Sequence, residues 1–251
     1  MKETDFVSGF ARGLRVIEAF GEHDRRLSIA DVAKRTELDR ATVRRSLLTL
    51  VDLRYADYDG KFFTLTPRIL RLGHSYLSAT PLTTLVQPHL DELSEKTGQS
   101  SSASVLDDTE IVYIARASHR RVMSINLNPG SRLPAYCSSM GRVLLAALPE
   151  SVAMNTLMRT ELRANTEKTI IDIDRLLAEL VRVRERGYAL IDQELELGLC
   201  SIAVPVQNRK GETIAALNVG APAAHVSPEE MVEKFLPLLM SASDGIRLSL
   251  A

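Results

Sequence analysis

The chain has 251 residues, of which 45% are hydrophobic and 25% charged, with a formal net charge of −1. Such a balance suits one large or two ordinary globular domains and excludes a globally basic nucleic-acid coat. No run approaches roughly 18 apolar residues, the N-terminus carries no apolar signal segment, and Cys137 and Cys200 lack metal-ligand spacing, so a reduced cytoplasmic protein without metal or cofactor is expected.

Residues 8–22 predict a first helix, with Phe10, Leu14, Ile17 and Phe20 spaced to close a small core. Ser28, with Asp31 three residues on, reads as the start of a second helix. A third begins at Asp39 after a short break. On it Val43, Leu47, Leu50 and Val51 share an inward face, while Ala41, Thr42, Arg45 and Thr49 face outward and Arg44 lies on the flank. From Tyr55 to Thr66 the pattern alternates around Asp59-Gly60, a two-residue turn signal, with Tyr55, Phe62 and Leu65 expected to pin the hairpin to the helices. Between Lys34 and Arg54 six basic residues outnumber three acidic ones, so positive charge is local. A helix, a turn, a basic second helix and a hairpin suit insertion into a major groove. The candidate DNA-binding residues are Ser28, Arg40, Ala41, Thr42, Arg44, Arg45 and Thr49, with Tyr58 and Lys61 at the hairpin tip as phosphate contacts.

Pro67 ends the hairpin. The next helix carries an apolar stripe in which Ile69, Leu72, Tyr76 and Leu77 are the expected dimer contact. Pro81 opens a further helix that Gly98 stops. Beyond Ser100 the pattern is mixed. Strands are expected near 103–106, 111–114, 202–206 and 214–219, and helices near 138–148, 150–160, 172–186 and 227–248. The expected class is α+β, divided into a winged helix-turn-helix domain (1–67), a linker helix (68–80) and an effector-binding domain (81–251).

Several segments together resemble the IclR family of bacterial transcription regulators. They are Ser8-Gly9-Phe10-Ala11-Arg12-Gly13-Leu14, residues 28–32, Thr42-Val43-Arg44-Arg45, residues 63–68, Ser138-Ser139-Met140-Gly141-Arg142 and residues 192–199. The resemblance implies a winged helix-turn-helix domain, a linker helix, a GAF- or profilin-like effector domain, operator DNA and a small organic acid as partners, and a homodimer or homotetramer. Pro134-Ala135-Tyr136 and Ser201-Ile202-Ala203-Val204-Pro205 look closest to regulators of protocatechuate and β-ketoadipate catabolism; a regulator of another carbon-source pathway is the alternative. Two departures stand out: Glu37 occupies a turn position where glycine is common, and Cys200-Ser201 replaces a frequent Arg-Cys pair.

By that resemblance the effector pocket is expected to use Leu133, Ser139, Met140, Asp192, Ser201, Asn218 and Gly220. Independently, the helix start spanning Ser138, Ser139, Met140 and Gly141 offers backbone N–H groups to a carboxylate. Arg116, His119 and Arg120 read as a solvated loop cluster, with positive charge offered to a diacid as the alternative. An enzyme is the rival class, but no common catalytic or nucleotide-binding motif occurs, the histidines (His23, His74, His89, His119, His225) are scattered, and Cys137 has no positioned base. A protein-interaction module would leave Arg44 and Arg45 without a role.

Overall fold

In the computed structural model the chain forms two compact units, residues 1–79 and 80–251. Residues 6–21, 24–79, 81–118 and 127–250 are described. Glu22, His23, His119 and Arg120, and the side chain of Leu77, lie outside the described part.

In the first unit α1 (Ser8–Glu18), α2 (Ile29–Thr36) and α3 (Arg40–Asp52) enclose Val16, Val32, Val43, Leu47 and Leu50. A reciprocal capping box starts α2: the Ser28 hydroxyl accepts from the Asp31 N–H at 3.3 Å, and the Asp31 carboxylate accepts from the Ser28 N–H at 2.9 Å. Glu37 ends α2 in the left-handed region at φ 55°, a conformation that costs a non-glycine residue about 1–2 kcal/mol. Asp39 then caps α3 by accepting the Thr42 N–H at 2.8 Å.

Helix α1 stops short of the expected residue 22, and its apolar stripe divides. Val16 is buried and Ile17 and Phe20 pack on the core, but Phe10 and Leu14 are exposed. Val16 and Phe20 lead the buried face, from which Phe10 stands roughly 100° and Leu14 roughly 140° away around the helix. With Leu53, Tyr55 and Leu72 they line an open groove of about 660 Å³.

The hairpin pairs β1 (Ala56–Tyr58) with β2 (Phe63–Leu65), Tyr58 opposite Phe63. Its loop is therefore residues 59–62 and not the two-residue turn expected at Asp59-Gly60. The Asp59 carboxylate widens it by accepting the N–H groups of Lys61 at 3.0 Å and Phe62 at 2.8 Å. Phe63, not Phe62, enters the core, because it shares the inward face of β2 with Leu65, two residues on, whereas Phe62 and Leu65 stand three apart. A 3₁₀ turn (Pro67–Ile69) leads into α4 (Leu70–Ala79), where Leu72 and Tyr76 are exposed.

The second unit opens with α5 (Pro81–Thr97). Its sheet comprises β3 (Ser100–Asp107), β4 (Glu110–Ala117), β5 (Arg132–Pro134), β6 (Ala189–Asp192), β7 (Leu199–Gln207) and β8 (Thr213–Pro222). The six strands lie antiparallel in the order β5-β4-β3-β8-β7-β6. The short edge strands β5 and β6 were not expected. Strand alternation divides the core: Ile202, Val204, Leu217 and Val219 face α5 and α10 (Leu236–Ser249), whereas Ala203 and Ala216 face α6 (Ser139–Ala146) and α8 (Ile173–Arg186). Alanines there let α6 lie close to the sheet. Helix α7 (Glu150–Arg159) joins α6 to the segment before α8. The helix expected at 227–248 runs without a gap from α9 (Pro228–Glu230) through a π turn (Met231–Phe235) into α10, and Pro237, which lacks an N–H donor, stands just after the π turn. Among the described residues no helix is long and apolar enough to cross a membrane.

Candidate DNA interface and effector pocket

On α3, Arg40, Ala41, Arg44, Arg45 and Thr49 are exposed. Arg45 stands opposite Val43, Leu47 and Leu50 and donates to the Thr42 hydroxyl at 3.4 Å. Thr42 itself is buried, which corrects its placement on the outward face. It lies on the flank of α3 that turns toward α1, where it lines the groove with Phe10 and Leu14. Ser28 is half-buried, and its hydroxyl is engaged by Asp31. At the hairpin tip Lys61 is exposed, with its ammonium 5.1 Å from the centre of the Phe62 ring. Tyr58 is exposed but committed: it stacks on Phe63 at 4.4 Å and donates to the Gly60 carbonyl at 2.7 Å. Arg26, absent from the sequence reading, lies 4.7 Å over the Phe62 ring and pairs with Asp59. The Phe62 N–H first, then Arg26 and the Lys61 N–H, hold the Asp59 carboxyl well below the usual carboxylate range. No sequence signal marked Arg26, because its partner lies across the hairpin.

The second unit contains a small cavity of about 30 Å³ between the sheet and the start of α6. Of the residues expected at an effector site, Leu133, Ser138, Ser139 and Met140 reach it from β5 and α6, and Ser201, Asn218 and Gly220 from β7 and β8. Gly141 and Asp192 do not line it. A Cβ at Gly141 would overlap the carbonyl and Cα of Ala135, so glycine is needed there for packing. Asp192 pairs with Lys168 at 2.6 Å and accepts from the Cys200 thiol at 3.1 Å; the Lys168 contact leads the causes that lower its carboxyl. The Ser138 hydroxyl caps α6 by accepting the Gly141 N–H at 3.3 Å, which removes one donor from those expected to meet a carboxylate.

The cavity also takes Ser100, Tyr113, Leu127, Leu195 and Leu199, none of which was expected there, and Arg116, for which contact with a diacid was only the alternative to a solvated loop. For Arg116 this is a correction, since it is half-buried and not a solvated loop residue. Cross-strand register gathers the polar set. Ser102 stands opposite both Asn218 and Arg116, and Gly220 opposite both Ser100 and Ser201. The β3–β4 register shifts between Ala103 and Ser104, so that Ser102 faces Arg116 while Ser104 faces Tyr113. This bulge sends Ile114 and Ala115 both into the core on the far face and returns Tyr113 and Arg116 to the pocket face. Two buried polar atoms here lack a partner, Ser139 Oγ and Asn218 Oδ1.

Beneath the cavity Arg142 and Glu194 form a buried ion pair at 2.6 Å, their side chains 2% and 9% exposed. Both cysteines are buried; burial pushes the Cys137 thiol up to about 11 and the Cys200 thiol up to about 12, so neither is a thiolate nucleophile at neutral pH.

Comparison with known proteins supplies the context for these two sites. Residues 10–60 match the IclR helix-turn-helix domain, and residues 74–248 match the bacterial transcriptional regulator IclR C-terminal domain. The chain is 46% identical over 242 residues to the Pca regulon regulatory protein of Pseudomonas putida, covering 96% of this chain and 83% of that one. It is 39% identical over 252 residues to the p-hydroxybenzoate hydroxylase transcriptional activator of Acinetobacter baylyi, covering 98% and 93%. A crystal structure of an IclR homologue from Microbacterium hydrocarbonoxydans complexed with 4-hydroxybenzoate superposes with a TM-score of 0.82 at 26% identity, covering 97% of this chain and 99% of that one.

Proposed function

The chain belongs to the IclR family of ligand-responsive transcription regulators and is not an enzyme, and from that premise we propose that it controls aromatic-acid catabolic genes in the cytoplasm, in the protocatechuate and β-ketoadipate branch. Its two units divide the work. The exposed basic face of α3, led by Arg45 and flanked by the hairpin, reads operator DNA. The cavity of the second unit takes a small organic acid. The observation that carries the effector reading is the pair of partnerless polar atoms, Ser139 Oγ and Asn218 Oδ1, in a recess whose other walls are leucines, Met140, Tyr113, Arg116, Gly220 and further serines. Buried polar atoms are rarely left unsatisfied without a reason, and a polar ligand supplies one.

The working unit is a homo-oligomer, a dimer or a tetramer. One recognition helix reads only a few base pairs, and two on a near-palindrome give usable specificity. The exposed stripe of Phe10, Leu14, Leu72 and Tyr76 supports pairing of two copies. Calorimetry against aromatic acids, dicarboxylates and neutral aromatics tests the effector, with anisotropy of labelled operator read with and without it. Binding of neutral compounds alone, indifferent to Ser139→Ala and Asn218→Ala, would refute ligand class and pocket together. A 27.7 kDa monomer by light scattering would refute the oligomer.

A further inference from the structure

We infer that Arg116 is the residue that neutralises the effector's carboxylate, with Asn218 meeting a hydroxyl group at the other end, so that the pocket selects a hydroxy-substituted aromatic acid. This rests on the effector reading above. The guanidinium lines the cavity and, among the described residues, donates only to hydroxyls, Ser102 Oγ at 2.9 Å and Ser118 Oγ at 3.2 Å. No carboxylate pairs with it among the described residues, and residues 119–126 contain no Asp or Glu. Burial accordingly pulls its pKa down, a cost that an incoming anion would relieve. The geometry is built in, because the bulge in β4 turns Arg116 onto the pocket face. Without that extra residue, strand alternation would set Tyr113 and Arg116 on opposite faces.

The alternative anchor is the start of α6. A helix start presents roughly half a unit of positive charge, and here one of its donors is already taken by Ser138; a guanidinium presents a full charge in a fork that matches a carboxylate. Arg116 and Asn218 stand on either side of Ser102, two strand spacings or about 10 Å apart between α-carbons. A ligand with an acid at one end and a hydroxyl at the other suits that row. The hydroxyl can donate to Asn218 Oδ1, whereas a second carboxylate would set acceptor against acceptor.

The test is calorimetric titration of the full chain with 4-hydroxybenzoate, its neutral amide 4-hydroxybenzamide, benzoate and adipate. The parent is expected to prefer 4-hydroxybenzoate over the amide. Arg116→Gln should weaken the acid about ten- to a hundredfold and leave the amide within about threefold, so the preference disappears; Arg116→Lys should restore part of it. Asn218→Leu should instead bring 4-hydroxybenzoate and benzoate to similar affinity, an arm that holds even where Arg116→Gln fails to fold. An acid-to-amide preference unchanged in folded Arg116→Gln but lost in Ser139→Ala would move the carboxylate to α6 and overturn the inference while the pocket stands. Tighter binding of adipate than of 4-hydroxybenzoate overturns it as well. Binding of no probe by the parent would overturn the effector reading and the inference with it.

Discussion

Replacing Glu194 with alanine should be the most damaging single charge removal in the second unit, although the pair it breaks is no shorter than several on the surface. Lys168–Asp192 also measures 2.6 Å, but its side chains are 42% and 36% exposed, and such a pair contributes about 0–1 kcal/mol. Around Arg142 and Glu194 water is excluded. The guanidinium donates to the Glu194 carboxylate and to the Tyr136 carbonyl at 2.9 Å, while the same carboxylate oxygen takes the Ile170 N–H at 3.1 Å. Glu194→Ala therefore leaves a buried cation and a backbone donor unmatched, which costs about 3–5 kcal/mol. In a unit of this size that corresponds to a fall of roughly 6–20 °C in its melting temperature. The chain has no tryptophan, so scanning calorimetry or far-ultraviolet dichroism is the readout. The companion Arg142→Met/Glu194→Leu variant should recover at least about 2 kcal/mol of the loss, since apolar replacement of both partners removes the stranded charge. A cost below about 1 kcal/mol for Glu194→Ala would refute the reasoning, because the pair would then be behaving as a solvated one.

Arg45→Ala should weaken operator binding by about 1–3 kcal/mol with the melting temperature unchanged, as read by anisotropy at fixed salt. Gly141→Ala should cost about 1–3 kcal/mol of stability, because the added methyl group meets the Ala135 backbone and not a flexible side chain. Asp59 supplies a pH test: its folded carboxyl lies below the ordinary 3.8, so what it adds to the hairpin is fully present above about pH 5 and is lost as pH falls through and below 3.8. Asp59→Asn should loosen the hairpin tip at neutral pH and remove that acid sensitivity, followed by proton resonances of the Phe62 ring.

How much of this was legible in the sequence depended on whether a feature is local. The capping box at Ser28 and the cap at Asp39 need only a few consecutive residues, and both formed as read. The left-handed Glu37 was expected only from the family resemblance, which has glycine commonly at that turn position. Phe62 was misplaced because Phe62 and Leu65 stand three residues apart and cannot share one strand face; alternation counted back from Leu65 leads to Phe63. Helix periodicity alone could not tell that Phe10 and Leu14 would miss the core while Val16 entered it, since that is set by where α3 lies. In the pocket, Ser138, Ser139 and Met140 follow from a helix start, whereas Leu133, Ser201, Asn218 and Gly220 were suggested only by the family resemblance. Tyr113 was missed because a bulge reverses the parity by which a strand is read, and Arg116 was read chiefly as a loop residue because the strand, expected to stop at 114, continues to Ala117. Leu195 comes from the β6–β7 connection, and no pattern marks a loop residue as a cavity wall.

The size of the cavity ties the pocket to regulation. About 30 Å³ accommodates roughly two water molecules, whereas a cavity of about 150 Å³ is of the size that takes a benzene ring. An aromatic acid therefore cannot enter without displacing a wall. The walls on β4, β3, β8 and β7 are fixed by ladders on both sides, as these are interior strands, whereas Leu133 lies on the edge strand β5. Leu195 is held differently, through its neighbour Glu194, whose carboxylate is clamped to Arg142 of α6 and whose carbonyl accepts the Thr169 hydroxyl at 2.6 Å. Any outward movement of Leu195 thus strains contacts that reach α6 and the segment before α8. A ligand that binds the opened arrangement and not the closed one shifts the balance between them by its differential affinity, and that differential is what a regulator requires. The pair that stabilises the unit also sets how hard the pocket is to open. Glu194→Gln, which keeps the shape of the carboxylate while weakening its hold on Arg142, should lower stability and yet raise affinity for an aromatic acid. Calorimetry on the same sample measures both quantities, and a fall in the two together would show that the Glu194 clamp shapes the bound state and does not restrain opening.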